Sequence, residues 1–207
     1  MNASDDFEFE MPNRGDDRPG LDELDELDDD VEVDEADEAD DDDDDYPEDA
    51  TEDDIDLVIA LYREDGQPVA LPLELDLAND LDGLITQLRR MPGDAGAVGF
   101  VSVADEVFVI VRVRGKHVQV FCSDALAADE WPIAHDVVDF LEADLTDESD
   151  EGYPIGDSDI LADAGLPDFE LEAMAEDYDQ ESTALLELIA KKIGFAAVYT
   201  KAVATFE

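Results

Sequence analysis

The side chains that most often carry out catalysis are scarce in this chain. It has one cysteine, Cys122, and two histidines, His117 and His135, among 207 residues. A cysteine nucleophile needs a nearby base, and a common zinc site needs three or four cysteine or histidine ligands. Three such residues in total favour a small buried cysteine and two structural or exposed histidines. We therefore predict no catalytic residue, no metal site and no cofactor.

One acidic segment partly matches a calcium-binding loop. Positions 1, 3, 5 and 6 of an EF-hand loop are occupied by Asp147, Ser149, Glu151 and Gly152. Position 12 is Ser158, where the loop requires a bidentate glutamate, so calcium binding is not predicted. The sequence also lacks the glycine-rich phosphate loop, the dinucleotide fingerprint and the G-x-S-x-G nucleophile motif. These observations favour a protein that is not an enzyme.

The charge balance excludes several classes of function. The chain carries 62 aspartates and glutamates against 11 lysines and arginines, a formal net charge of −51. Non-specific nucleic-acid binding needs a positive field, and an anionic membrane surface repels this chain. No apolar run approaches the roughly 20 residues of a membrane span, and the N-terminus lacks the basic and apolar regions of a secretory signal. We expect a soluble, cytoplasmic protein.

More than half of the net charge lies in the first quarter of the chain. Residues 1–54 contain 29 acids and two bases, a net charge of −27, and Asp40 to Asp45 are six consecutive aspartates. Like charges at this density repel, and few large apolar residues are present to offset the entropy of ordering. We predict that residues 1–54 form a disordered acidic tail. Leucines at every third position from Leu21 to Leu27 leave open a short motif that orders on a partner.

The remaining residues show the hydrophobic periodicity of a folded α+β domain. Alternation predicts a hairpin of strands at 55–63 and 69–75, and Asn79 is predicted to cap the helix that follows. Three further strands at 97–104, 107–113 and 117–122 precede a second helix. This ββαβββα order predicts a five-stranded, mainly antiparallel sheet. By analogy of element order, it resembles the longin, roadblock and profilin-like domains.

Composition divides the chain into four segments. After the tail, we predict an α+β sheet domain at 55–143 and an acidic linker at 144–157. A C-terminal helical module at 158–207 is expected to pack on or near the sheet domain, with one of its helices capped by Ser182.

Because bases are rare here, their positions are informative. Arg112, Arg114 and Lys116 lie at i, i+2 and i+4, which places them on one face if the strand continues to Lys116. They form a candidate interaction face that could receive the acidic tail, an acidic partner or a phosphate group. Ordinary solvation at a sheet edge, with pairing to local acids, is the alternative. Lys191 and Lys192 suit the negative end of a helix dipole.

Several stretches together resemble a known family. They are Val98–Val101, Val107–Val113, Val120–Ala125 (VFCSDA), Gly156–Leu166 and Leu188–Phe195. In combination they are similar to the actinobacterial tRNA adenosine deaminase-associated protein family, over about residues 55–207. The resemblance implies an association that reflects gene proximity, and it carries no catalytic residues. Zinc deaminases need H-x-E and P-C-x-x-C motifs, which a chain with one cysteine cannot supply, so this chain is not the deaminase.

These observations converge on a non-catalytic accessory or interaction protein. It would be associated with a tRNA adenosine deaminase or with tRNA modification, and its folded domain would offer a sheet or helix face to a protein partner. The alternative is an acidic nucleic-acid mimic, whose N-terminal tail occupies a partner's basic groove. The sequence leaves open the identity of the partner and whether the protein forms a homo-oligomer.

Overall fold

The computed structural model describes residues 46–93, 96–145 and 152–206. Most of the predicted disordered tail, residues 1–45, lies outside the described residues, as does most of the calcium-loop match. In the described ranges the strands are β1 (Ile55–Glu64), β2 (Gln67–Pro72), β3 (Ala97–Val103), β4 (Val107–Arg114), β5 (His117–Cys122) and β6 (Ile155–Gly156). The α-helices are α1 (Leu81–Arg89), α2 (Pro132–Phe140), α3 (Asp168–Ala175), α4 (Ser182–Lys192) and α5 (Ala196–Val203), and short 3-10 helices span Leu75–Asn79, Leu126–Asp129 and Ala162–Ala164.

The strands form one antiparallel sheet in the order β2-β1-β3-β4-β5-β6. The α+β class and the ββαβββα order are confirmed, but the predicted count of five strands is wrong, because the sheet formed by the described residues has six. In the sixth strand, Ile155 pairs with Cys122 and Gly156 pairs with Phe121. Two residues are too few to show alternation, and Gly156 has a φ of 107°, which favours glycine. The strand is therefore defined only by its pairing with β5.

Helices cover both faces of the sheet, so the domain has three layers. On one face the alternate valines of β4, from Val107 to Val113, share a buried core with α1 and α2. On the other face Phe108 and Ile110 share a second core with α3, α4 and α5. Burial on both faces explains why β4 is apolar at consecutive positions. Within β4, the buried polar residue on the second face is Arg112, which is 6% exposed.

Two predicted helix caps have other roles. The N-cap of α1 is Asp80, whose side chain accepts a hydrogen bond from the amide of Gly83 at 2.7 Å. Asn79 instead binds both backbone groups of Ala50, accepting from its amide at 2.8 Å and donating to its carbonyl at 2.9 Å. These two hydrogen bonds attach the segment before β1 to the start of α1.

Ser182 likewise has a tertiary role. Its hydroxyl lies 2.6 Å from the hydroxyl of Ser102 on β3, and both residues are fully buried. Ser102 donates to Asp56 of β1 at 2.7 Å. The N-cap position of α4 is occupied by Glu181, which makes no side-chain capping bond. The two serines bind each other and Asp56 because buried hydroxyl groups need hydrogen-bond partners. These bonds connect β1 and β3 to the N-terminus of α4.

Candidate interaction surface

The three bases of the predicted interaction face occupy different environments. Arg112 lies within β4 and is 6% exposed. Arg114 ends β4, and its side chain is 41% exposed. Lys116 is exposed in the turn between β4 and β5, beyond the end of the strand. Only Arg114 and Lys116 are therefore accessible to a partner.

Arg112 is engaged within the protein. Its Nη1 donates to the carbonyl oxygen of Ile160 at 2.6 Å, and its two Nη atoms bind the carboxylate of Asp163. Arg114 also reaches Asp163, with Nη1 at 3.2 Å from Oδ2. The hydrogen bond from Arg112 holds the pKa of the Asp163 carboxyl below its usual value of 3.8. The bidentate ion pair between Arg112 and Asp163 attaches the segment before α3 to the sheet.

The register of the sheet brings the accessible bases of other elements to the same end. Tyr62 pairs with Ala97, which pairs with Val113, so β1 and β4 end where β3 begins. Arg63 follows at this end of β1, and its Nη2 donates at 3.1 Å to the carbonyl of Ile193, directly after α4.

The helix ends add four more bases. Arg89 and Arg90 end α1, and the chain then passes Gly93, where a Cβ would lie 2.7 Å from the carbonyl oxygen of Arg63. Lys191 and Lys192 end α4 immediately before the Arg63 contact. We call this end of the sheet the basic end; it comprises Arg63, Arg89, Arg90, Arg112, Arg114, Lys116, Lys191 and Lys192. It holds eight of the nine bases in residues 55–207, the exception being Lys201 on α5.

Several cations of the basic end are not neutralised locally. Lys192 pairs with Glu170 at 2.7 Å. Among the described residues, no carboxylate lies within 4.0 Å of the side-chain nitrogens of Arg89, Arg90, Lys116 or Lys191. These four cations, together with the partly exposed Arg114, form the accessible charge of this surface.

The opposite end of the sheet is acidic. A cavity of about 380 Å³ lies there, beside the β3–β4 turn and the segment before α4. Its carboxylates are Asp105, Glu106, Asp124, Asp177, Asp179 and Glu181. Charge is therefore distributed unevenly along the strands. The bases gather at one end, where Glu64 and Asp65 at the β1–β2 turn also lie, and the six acids of this cavity lie at the other end. Such a field orients a charged partner as it approaches.

The residues considered for catalysis do not come together. Cys122 is fully buried, and its thiol donates to the carbonyl of Asp124 at 3.2 Å. Burial raises the pKa of this thiol to about 12. His117 is exposed on β5, and the ring of His135 packs edge-on against Tyr46 at 4.8 Å. In the described part of the chain, no three histidine, cysteine, aspartate or glutamate side chains are grouped to hold a metal ion.

The fold and this surface define a small three-layer α+β domain with one cationic end on an anionic body. Within the described ranges, no helix is long and apolar enough to span a membrane. The chain belongs to the Rv3753c-like tRNA adenosine deaminase-associated protein family, whose model matches residues 56–196. The family resemblance predicted from the sequence is thus confirmed.

A curated relative supports the assignment. The chain is similar to Protein Rv3753c of Mycobacterium tuberculosis (strain ATCC 25618 / H37Rv), with 33% identity over 141 residues. The aligned region covers 67% of this chain and 82% of that protein. No solved structure matches the chain significantly.

Proposed function

We propose that this protein is a non-catalytic accessory protein that binds a tRNA adenosine deaminase through its basic end. The family description supports a link with such an enzyme. The observation that carries the proposed surface is the convergence of eight of nine bases at one end of the domain. Dispersed bases would be expected if they served only to pair with the acids around them.

The negative charge of the rest of the domain favours one orientation of an acidic partner on the basic end. Residues 55–207 carry 33 acids against their nine bases. At physiological ionic strength a charge is screened over about 8 Å, so a partner's acidic patch would feel the basic end locally. The surrounding acids would repel the same patch elsewhere on the domain, which favours one orientation of docking.

A non-catalytic role is supported by the positions of the chemically versatile side chains. Cys122 is buried and holds its proton at neutral pH, since its pKa is raised to about 12. The sheet faces, where a ligand would otherwise bind, are filled by two apolar cores. The edges and ends of the sheet remain as contact surfaces.

The acidic tail supports a second candidate, a nucleic-acid mimic. Residues 1–54 carry 29 acids and two bases, which is a net of one negative charge for every two residues. A segment charged in this way could occupy a site that otherwise binds the phosphates of a nucleic acid. In this alternative the tail occupies a basic groove of the partner, and the basic end is not required for binding.

A binding experiment separates these proposals. The deaminase encoded by the same genome is titrated with the full chain, and the Kd is measured by calorimetry at two salt concentrations. We expect the double variant Arg89→Glu, Arg90→Glu to weaken binding about tenfold, because exposed charge pairs each contribute up to about 1 kcal/mol. The matched control is Lys201→Glu, which changes the same kind of charge outside the basic end and should bind normally.

A chain in which the acids of residues 1–45 are replaced by asparagine and glutamine completes the comparison. It should bind as the unaltered chain does if the basic end is the contact surface. Loss of binding in that variant alone would establish the mimic instead. If the unaltered chain does not bind the deaminase at either salt concentration, the proposed partner is wrong.

A further inference from the structure

A second feature of the basic end is a cavity between the sheet and the C-terminal helices. Its volume is about 250 Å³, enough for one or two side chains. Six apolar side chains form most of its wall: Leu61, Val98, Leu161, Ala164, Ile193 and Phe195. The charged residues that line it are Arg63, Arg112 and Asp163.

Arg112 lines the cavity as a buried cation. Its two Nη atoms are occupied by Ile160 and Asp163, but its Nε is fully buried and has no acceptor among the described residues. A buried N–H without an acceptor costs roughly 1–3 kcal/mol. Because this N–H is closed to water-sized groups, Arg112 contributes positive charge to the cavity rather than a donor that an entering group could reach.

Arg63 supplies the second cation. Its guanidinium carbon lies 4.9 Å from the centre of the Phe195 ring, and Nη2 donates to the carbonyl of Ile193. These contacts hold the side chain in place and use one of its five N–H groups. Within the described residues the other four make no hydrogen bond.

The charge of the lining favours an anion. Two guanidinium groups face one carboxylate, and that carboxylate is already shared between Arg112 and Arg114. A positive lining is the opposite of the charge elsewhere in the domain, where acids outnumber bases by 33 to nine. The apolar wall, however, would leave most oxygens of a phosphate without donors. A single carboxylate on an aliphatic stem satisfies both the cations and the wall.

We propose that this cavity anchors an acidic residue of a partner polypeptide, with a neighbouring apolar residue against the aliphatic wall. The inference rests on the proposed function, since it names the kind of segment that a protein partner presents to the basic end. The free N–H groups of Arg63 would bind the carboxylate, and the positive charge of Arg112 would favour the same anion. The accessible bases around the cavity would hold the flanking acids of the same segment.

The test uses the full chain and a short end-capped peptide of alternating glutamate and leucine. The readouts are the NMR signal of the Arg63 Nε–H group, assigned by its absence in Arg63→Lys, and the backbone amide signals of the cavity residues. We expect saturable binding that shifts these signals. Arg63→Gln, which removes the charge and keeps a polar side chain, should weaken binding at least about tenfold. Lys201→Gln, outside the basic end, is the matched control and should bind normally.

A second variant, a control peptide and two competitors make the test decisive. Ala164→Leu places a larger side chain in the wall and should also weaken the peptide, while the backbone amide spectrum reports that the fold is intact. The inference is overturned if the same peptide with glutamine for glutamate binds as tightly. It is equally overturned if inorganic phosphate or a short RNA displaces the peptide at equal concentration, or if the Arg63 Nε–H signal does not move.

The outcome is separable from that of the deaminase titration. If the deaminase binds but the peptide does not, the cavity is not the anchor and the accessory role stands. If the peptide binds and the deaminase does not, the cavity recognises acidic segments and the partner has been assigned wrongly.

Discussion

The contact between Arg112 and Asp163 makes an asymmetric prediction about stability. Replacing Arg112 by methionine removes the charge and leaves an apolar side chain of similar length in a buried site. Replacing Asp163 by alanine removes the partner and leaves the guanidinium buried with only the Ile160 carbonyl bound. An unpaired buried charge is more costly than no charge, so Asp163→Ala should be the more destabilising change.

The magnitudes follow from exposure. The Asp163 side chain is 54% exposed and recovers water when Arg112 is removed, so that pair contributes only about 0.5–1 kcal/mol. The bond from Arg112 to the buried carbonyl contributes roughly 1.5–3 kcal/mol, partly offset by the burial of methionine. We expect Arg112→Met to cost about 1.5 kcal/mol. Asp163→Ala should cost about 3 kcal/mol, at the lower end of the range for a broken buried pair, because water reaches this site from one side.

Urea unfolding of the two single variants and the double variant tests this reasoning. Once Arg112 is methionine, adding Asp163→Ala should change the free energy of unfolding by less than about 0.5 kcal/mol, because no buried charge remains. Strictly additive costs, or a larger cost for Arg112→Met than for Asp163→Ala, would refute the account. A matched control is Asp168→Ala on α3, which tests removal of an acid outside this contact.

The same contact predicts a pH dependence. Arg112 holds the pKa of Asp163 below 3.8, so the folded state binds a proton at this site less readily than the unfolded state. The stabilisation is therefore fully present above pH 3.8 and is lost as the pH falls through the lower, folded pKa. The cost of Asp163→Ala should be constant between pH 5 and 8 and should shrink below about pH 4.

Three further predictions concern other parts of the fold. Gly96 and Gly66 both have a φ of 79°, but a Cβ would overlap a carbonyl oxygen of β4 at Gly96 and meet no atom within 4 Å at Gly66. Gly66→Ala should cost about 1 kcal/mol and Gly96→Ala at least about 2 kcal/mol more in urea unfolding, and equal costs would contradict the overlap. Ser102→Ala should lower the free energy of unfolding by roughly 1–3 kcal/mol, because it leaves the buried hydroxyl of Ser182 without a hydrogen-bond partner. The double variant Ser102→Ala, Ser182→Ala should be no less stable than Ser102→Ala alone. In the folded protein at pH 8, Cys122 should react with iodoacetamide about a thousandfold more slowly than in the protein unfolded in urea, as measured by mass spectrometry. Comparable rates in the two states would contradict the burial and the raised pKa of this thiol.

The succession of elements could be predicted from the sequence because it depends on local periodicity. Alternating apolar residues define the strands from β1 to β5, and the double-sided apolar pattern of β4 correctly indicates a strand covered on both faces. Strand β6 could not be predicted in this way. It consists of two residues, Ile155 and Gly156, and its backbone bonds to β5 bridge more than thirty positions of the chain.

The polar side chains were harder to interpret than the apolar ones. Asn79 and Ser182 have the residue types and positions of helix caps, but each forms a tertiary hydrogen bond, to Ala50 and to Ser102 respectively. Sequence proximity makes capping the obvious interpretation. The competing partners are 29 and 80 positions away, so no local rule could have identified them.

By itself, the sequence determined the α+β class, the order of strands and helices, the family and the scarcity of bases, because these depend on composition and short-range spacing. The tertiary structure decided what those bases do. The antiparallel register places the ends of β1 and β4 beside the ends of α1 and α4, which gathers eight cations that are dispersed along the chain. It also buries Arg112 against Asp163, 51 positions away, while leaving Arg114 accessible. Alternation assigns both arginines to one face of the strand, but only packing determines which of them meets a carboxylate inside the protein.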